Sequence, residues 1–486
     1  MASPTGTRTA TSGPILAPIV PVVSFWSTRR DISVTEVVKL WAGMPNTVAD
    51  PGYTSLAVTG PVATEMRAAF DIPPGSDVHV VDSAAGVMAA ARTSSATLGL
   101  LDPEDVGPQV MALSVGGFSL FGPARIKDLG MWPLLAPAAA PTAFDVNSEW
   151  TLDAGGDVNL DRGVYTKSVE LGYGPDFPWS AGHAVVSGYE GGGFENAALV
   201  VARDTGPQGY FAQEFGSTDL TLVNLEGPAP NGWITRKNSL VFTFDPALLI
   251  GLKDAGIDAV TLANNHIRNG GDQGVIDTCA NLDKIGLAHT GAGANVTAAR
   301  RPVWLSAGGE RIAVLGYSAV GGDNWAGDSN AGAAPLDPDY VVADIHAARA
   351  AGADIVIVMP HWGQEYSYSL SAEQESEAAT FVAAGADLIL GSHSHWVGGI
   401  ETIDRPEGTA FVDYSMGDLL FNLNHDVESQ EGVLVTATFK GTRLLQVTLD
   451  PTIMIDQAQV GLTDPAGDGL PVLQAIRKAS RGLTDW

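Results

Sequence analysis

From residue 150 onward, five short apolar runs each end in residues that can bind metal ions or move protons. Trp150–Leu152 leads to Gly155-Gly156-Asp157-Val158-Asn159, and Leu220–Leu225 to Glu226-Gly227-Pro228. Ala259–Ala263 leads to Asn264-Asn265-His266, Ile355–Pro360 to His361-Trp362-Gly363, and Leu388–Gly391 to Ser392-His393-Ser394-His395. Imidazole suits Mn, Fe and Zn, whereas carboxylate and amide oxygens suit harder cations. Asp157, Glu226, Asn265, His361, His393 and His395 are therefore a donor set for divalent metal. One carboxylate can bridge two ions, and two ions about 3.5–4 Å apart can ionise a water and stabilise an in-line displacement at phosphorus. Taken singly, the pieces have plainer readings. Gly-Asp after a strand is a common turn, Asn264-Asn265-His266 suits an αL-prone turn with a helix cap, and His361 beside Trp362 suits a packed core histidine. Two imidazoles two residues apart, at His393 and His395, fit such a reading least.

These side chains can meet only if strands deliver them to one rim, and in an open α/β sheet ligands bind beyond the carboxyl ends of the strands. Ile312–Tyr317 and Phe411–Ser415 complete the set of short apolar runs. Helical patterns at Pro246–Ala255, Gly274–Ile285, Tyr340–Ala351 and Ala372–Ala384 fall between them, each stopped by a Gly. The phrase Ala-Gly-Ile-Asp or Ala-Gly-Ala-Asp recurs at Ala255–Asp258, Ala351–Asp354 and Ala384–Asp387, always between a helix and a strand. Val433–Phe439 and Leu444–Leu449 alternate around Gly441 as a hairpin would. Upstream, Val20–Phe25, Val78–Val81 and Ala96–Leu101 read as strands. Val34–Ala42, capped by Ser33, and Ser83–Ala91 read as helices. Alternating elements of this kind predict an α/β layer structure. The Pro/Ala-rich Leu134–Pro141 suits a linker. The expected division is a tail over 1–14, a smaller α/β domain over 15–135, a linker over 136–149, the main domain over 150–455 and a C-terminal tail over 456–486 with one helical segment near Leu470–Ala479.

Asp and Glu number 55 against 26 Lys and Arg, a net charge of −29 in 486 residues. Such a surface repels nucleic acid and anionic membranes and favours cations. The single cysteine, Cys279, cannot form an internal disulfide; with Val275, Ile276 and Leu282 it reads as part of a helix's core face. No run reaches the roughly 18–20 apolar residues of a membrane helix, and no secretory signal pattern is visible at the N-terminus.

Six ordered motifs carry a family resemblance. They are Gly156-Asp157-Val158 with Arg162-Gly163; Asn224-Leu225-Glu226-Gly227-Pro228; Ala263-Asn264-Asn265-His266 with Gly274; His361-Trp362-Gly363-Gln364-Glu365-Tyr366; Gly391-Ser392-His393-Ser394-His395; and Tyr414-Ser415-Met416-Gly417-Asp418. Spanning roughly 150–422, the region resembles the bacterial CapA family of capsule poly-γ-glutamate synthesis proteins, related to calcineurin-like metallophosphoesterases. The resemblance implies a four-layer α/β/β/α sandwich with a metal centre on one edge, holding two divalent ions (Mn, Fe, Zn or Mg). It implies Asp157 and His395 on the first ion, Glu226 bridging, and Asn265, His361 and His393 on the second. His266 is implied as a catalytic acid or oxyanion stabiliser, Arg162 as a catalytic and substrate contact, and Glu365 and Asn159 as further substrate contacts; the plainer reading of Arg162 is a surface ion pair. Phosphoesterases carry His two residues after the first Asp, where this chain has Asn159. An amide is the poorer ligand, so a weak first site is expected, although a non-His residue there agrees with the CapA family itself.

The function so implied is a metal-dependent, hydrolase-type protein in capsule poly-γ-glutamate synthesis, export or release. Its implied location is extracytoplasmic or at the cell surface, and its implied partners are an anionic polymer or small phosphorylated substrate and the capsule synthesis machinery. Two other readings stand beside it: a general metallophosphoesterase on nucleotides or sugar phosphates, and a non-catalytic polymer-binding scaffold. A polyanion would need bound cations, or a basic patch around Arg162, Arg236 and Lys237, to offset the acidic surface. More weakly, Val20–Arg30 followed by Val34–Trp41 resembles a lobe of phosphate-type periplasmic binding proteins, which implies a ligand-sensing or polymer-holding accessory domain; a degenerate packing domain is the plainer reading.

Overall fold

The computed structural model describes residues 16–44, 52–137, 144–191, 198–236 and 239–483. The N-terminal tail, part of the expected linker and Lys237 lie outside them. The chain divides into two compact units, one of residues 1–106, 112–120 and 125–147, the other of 107–111, 121–124 and 148–486.

In the first unit, Ser55–Thr59 runs parallel to both Val78–Val81 and Thr97–Leu101, and Val20–Ser24 runs antiparallel to the latter. The helix Val34–Trp41 begins where the sequence predicts. Ser33 accepts from the Glu36 N–H, and the Glu36 carboxylate returns to the Ser33 N–H, satisfying two donors that a helix start leaves open. Helices Gly60–Phe70 and Ala84–Thr93 are likewise capped, by Thr59 and Ser83.

The second unit is built on two sheets. The eight-stranded sheet runs in the order Ala288–Thr290, Ala259–Thr261, Leu220–Leu225, Glu149–Val158, Glu431–Lys440, Arg443–Ile455 and Gln459–Leu462, with Asp418–Leu420 also paired to Glu149–Val158. The six-stranded sheet runs Val303–Ala307, Glu310–Ser318, Ile355–His361, Leu388–Leu390, Gly408–Asp413 and Ile400–Arg405. Period-two side-chain alternation explains the layering. Ala313, Leu315, Val356, Val358 and Ile389 join a core with Val341 and Ile345 of helix Pro338–Ala350 and Phe381 and Val382 of helix Ala372–Ala384. Their buried neighbours Ile312, Val314, Ile355 and Ile357 point the other way.

The first sheet behaves alike. Val223, Leu225, Val260 and Leu262 pack with Phe211, Phe215, Leu252, Val275 and Leu282 from helices Tyr210–Ser217, Leu249–Asp254 and Gly271–Ile285. The inner faces meet so closely that a Cβ on Gly316 would lie 2.2 Å from the Thr261 hydroxyl. The order helix, sheet, sheet, helix is the four-layer class expected. Cys279 is partly buried against this first core, and burial pushes its thiol up to about 11, so it is inert packing.

The recurrent Asp after Ala-Gly-Ile or Ala-Gly-Ala has a physical role. Asp258, Asp354 and Asp387 accept the backbone N–H groups of Thr221, Arg311 and Val356, at 2.8, 2.9 and 2.6 Å. Each bond fixes where a neighbouring strand starts, and so where its carboxyl end falls. Residues 456–483 do more than trail: Gln459–Leu462 pairs with Arg443–Ile455, and helix Leu470–Ala479 packs close to the strands Arg443–Ile455 and Ile400–Arg405. No helix among the described residues is long and apolar enough to cross a membrane.

Candidate metal centre

Backbone register places Asp157. It pairs with Asn224 on one neighbouring strand and with Asp418 on the other. The register slips between Gly155 and Asp157, a bulge that re-aims the side chain. Gly156 makes this possible, because a Cβ there would sit 1.9 Å from the Gly417 carbonyl oxygen. Asp157 Oδ1 accepts from Asn224 Nδ2 at 2.5 Å, and Oδ2 accepts the His393 backbone N–H at 3.0 Å. The second bond joins the end of one sheet to the loop leaving the other.

Two donor triads converge there. Glu226, His361 and His393 offer ligand atoms within 4.8 Å of one another, and so do Asp157, His395 and Asp418; all six residues are buried. His361 Nε2 lies 3.0 Å from Asn265 Oδ1 and 3.8 Å from Glu226 Oε1. His395 Nδ1 lies 2.9 Å from Asp418 Oδ1 and 3.8 Å from Asp157 Oδ2. His393 (φ 98°) and His395 (φ 58°) hold left-handed backbone that a side chain disfavours, the kind of strain that persists where the surroundings enforce it.

The electrostatics fit a cation. Among the described residues, both Glu226 carboxylate oxygens, Asp418 Oδ2 and His393 Nδ1 are buried without a hydrogen-bond partner. Such groups are costly unless charge or ligation compensates them. Burial, then the Asp157 carboxylate, pushes Glu226 well above the usual carboxylate range. Burial also raises Asp157, and it raises Asp418 to about 7 against the pull of His395. Burial and neighbouring imidazoles depress His361, and His393 to about 3, leaving neutral nitrogens suited to ligation. His395 moves up to about 10, because Asp418, Glu226 and Asp157 together outweigh its burial. Positive charge at the centre would relieve the crowded carboxylates, so the donor set fits divalent metal.

His266 stands beside the triads, its Nε2 3.8 Å from Glu226 Oε1. Burial depresses it to about 4, so it is neutral at pH 7. Asn269 Oδ1 accepts the Phe242 N–H at 2.8 Å and lies 3.1 Å from His266 Nδ1. An oxygen so placed requires the imidazole proton on Nδ1. The Nε2 lone pair then faces the centre.

Comparison with known proteins assigns most of the second unit's sequence to a family. The family model described as "Bacterial capsule synthesis protein PGA_cap" matches residues 151–423, more than half of the chain. The chain belongs to the PGA_cap family. The "Capsule biosynthesis protein CapA" of Bacillus anthracis is 28% identical over 297 residues, covering 60% of this chain and 64% of that protein. The "PGA biosynthesis protein CapA" of Bacillus subtilis is 34% identical over 201 residues, covering 40% and 51%. A "Probable polyglutamine synthesis accessory protein" of Mycobacterium tuberculosis is 29% identical over 293 residues, covering 56% and 70%. The chain thus spans 64% and 51% of the lengths of the two Bacillus relatives.

In this PGA_cap chain the six donors named from the sequence all come together. Asp418 joins them, as does Asn224, whose amide nitrogen bridges Asp157 and His361 Nδ1 at 2.5 and 3.1 Å. Both lie in the motifs quoted above, where residue type alone assigned them no role. Asn159 does not present its amide to the centre. It is fully buried, donating to the Glu226 carbonyl and accepting from the Asp161 N–H, so it braces two backbones. Arg162 is no surface ion pair. Its guanidinium donates to the Asn422 and Ser239 carbonyls and lies 4.7 Å from the Phe242 ring centroid, which packs in turn on His266. Glu365 is exposed at the rim, and Arg236 is half-buried.

Proposed function

We propose that the chain holds two divalent cations in this centre and hydrolyses a bond in an anionic capsule polymer, the poly-γ-glutamate that its family resemblance implies. The observation that carries the reading is the set of buried, unpartnered atoms, oxygens of Glu226 and Asp418 and a nitrogen of His393, within the two triads. Glu226, His361, His393 and Asn265 would hold one ion, and Asp157, His395 and Asp418 the other. Mixed imidazole and carboxylate donors favour Mn, Fe or Zn over Mg, which prefers all-oxygen surroundings. Bound there, such ions supply Lewis acidity and a lowered pKa for water. Neutral His266 accepts a proton at Nε2, and Asn269 holds its ring in that tautomer. Arg162, anchored by two carbonyls, offers fixed positive charge beside His266. The same reading assigns it an extracytoplasmic or cell-surface location, with the capsule polymer and the capsule synthesis machinery as its partners.

A second reading, a phosphoesterase on small phosphorylated substrates, draws support from the net charge of −29, which repels a long polyanion more than a small ester. One experiment separates the two: the full chain loaded with Mn²⁺ is offered poly-γ-glutamate and, separately, an aryl phosphodiester. Shortening of the polymer, lost in His361→Ala, supports the first reading. Turnover of the diester alone supports the second. Neither reaction in metal-loaded protein would contradict both.

A further inference from the structure

Tyr366 has an unusual position that the metal centre does not account for. Its φ of 57° is left-handed, which a Cβ disfavours. Its backbone N–H donates to the Ser394 carbonyl at 2.8 Å, clasping the loop after His361 to the turn between His393 and His395. The ring stacks on the His395 imidazole at 5.7 Å between centroids with 26° between planes, and meets His425 edge-on at 4.5 Å. Yet the residue remains 37% exposed, and among the described residues its hydroxyl has no hydrogen-bond partner.

Strain of this kind is retained when something else requires the geometry. Packing is a weak reason here, because the ring is left partly open to solvent. What the conformation achieves is to hold a phenol against a candidate metal ligand. Carboxylates stand near it: Glu365 is its neighbour in the chain, and Asp418 bonds the His395 ring on which it stacks. Carboxylates accept hydrogen bonds and cannot donate when ionised. A phenol is a donor at neutral pH, so Tyr366 adds an O–H donor beside these acceptors.

We propose that Tyr366 touches the substrate, donating its phenolic O–H to an anionic oxygen of the group held at the centre. The ligand class is an oxyanion, and the backbone strain holds the donor in place before the ligand arrives. The inference rests on the centre holding metal, as proposed above, and does not require that any bond be cleaved.

The test uses inorganic phosphate as the probe, titrated calorimetrically into the Mn²⁺-loaded full chain. Tyr366→Phe removes only the hydroxyl and should weaken phosphate binding about 3–10-fold, the worth of one hydrogen bond. Tyr366→Gly removes the ring and the strain together; it should weaken phosphate binding at least as much and melt no lower than the parent. Manganese stoichiometry should be unchanged in both. Equal phosphate affinity in Tyr366→Phe and the parent would overturn the proposal. Loss of manganese in Tyr366→Phe would also overturn it, by showing a structural role, and so would a parent that binds no phosphate when loaded. Phosphate binding that depends on Tyr366, in a protein that cleaves no bond, would remove the hydrolase reading and leave this one standing.

Discussion

Asp418→Asn exchanges one oxygen for a nitrogen at constant volume, so its effect isolates charge. The carboxylate accepts from His395 Nδ1 at 2.9 Å, its second oxygen is buried without a partner, and its strand places it opposite Asp157. Asparagine can still accept from His395. It brings no negative charge, however, and turns a donor toward the position a cation would occupy. Mutating the carboxylate partner of a ligating histidine lowers metal affinity about 10–100-fold, roughly 1.4–2.7 kcal/mol. The Asp157, His395 and Asp418 triad shares no residue with the triad of Glu226, His361 and His393, so only one of the two ions should weaken. Calorimetric titration of Mn²⁺ into chelator-stripped variant should show one site retained and one weakened tenfold or more. The metal-free variant should melt no lower than the metal-free parent, because burial already disfavours this charge, holding the carboxyl up at about 7. Two unaltered sites would refute the assignment of Asp418. Simultaneous loss of both would refute the division into separate triads.

Two further outcomes follow from buried polar groups near the site. Burial pushes the Asp413 carboxyl up to about 8, with Oδ2 unpartnered. The folded state therefore holds this proton more tightly than the unfolded chain, and stability from this group, full below about pH 4, falls by about 1.4 kcal/mol per pH unit up to about pH 8. Asp413→Asn should remove that loss, so its advantage over the parent in urea unfolding should grow across this window; parallel pH profiles would count against the assignment. Asn269→Leu should release the His266 tautomer, seen as a changed ¹⁵N pattern of its ring nitrogens, and lower any metal-dependent turnover about 10²-fold, with metal content intact. Asn269→Asp, which keeps the acceptor, should restore the Nδ1–H form.

Much of the site was legible because its donors follow buried strands. An apolar run ending in Asp, Glu, Asn or His marks a carboxyl end, and those ends share one rim. Asp418 escapes this cue because its apolar residues, Leu419 and Leu420, come after it in a three-residue strand that pairs parallel to Glu149–Val158. The direction of Asn159 was hidden for a different reason. The bulge at Gly155–Asp157 shifts which side chains face the rim, and it follows from the close approach of Gly156 to Gly417, far apart in sequence. The strand Gln459–Leu462 is too short for its alternation to show, and the pair Ala184–Gly191 and Ala198–Asp204 is largely exposed or half-buried, with little apolar periodicity to reveal it. The helix boundaries fared better because their caps are local: Ser33, Ser371 and the Gly at 286 and 385 act within a turn of the ends they fix.

The most direct test of the convergent centre is anomalous diffraction from crystals of the full chain grown with Mn²⁺. Two peaks about 3.5–4 Å apart are expected. One should lie among Glu226, His361 and His393, the other among Asp157, His395 and Asp418. Fully ordered side chains with no peak among them, or a manganese peak only at some other place on the molecule, would contradict the account.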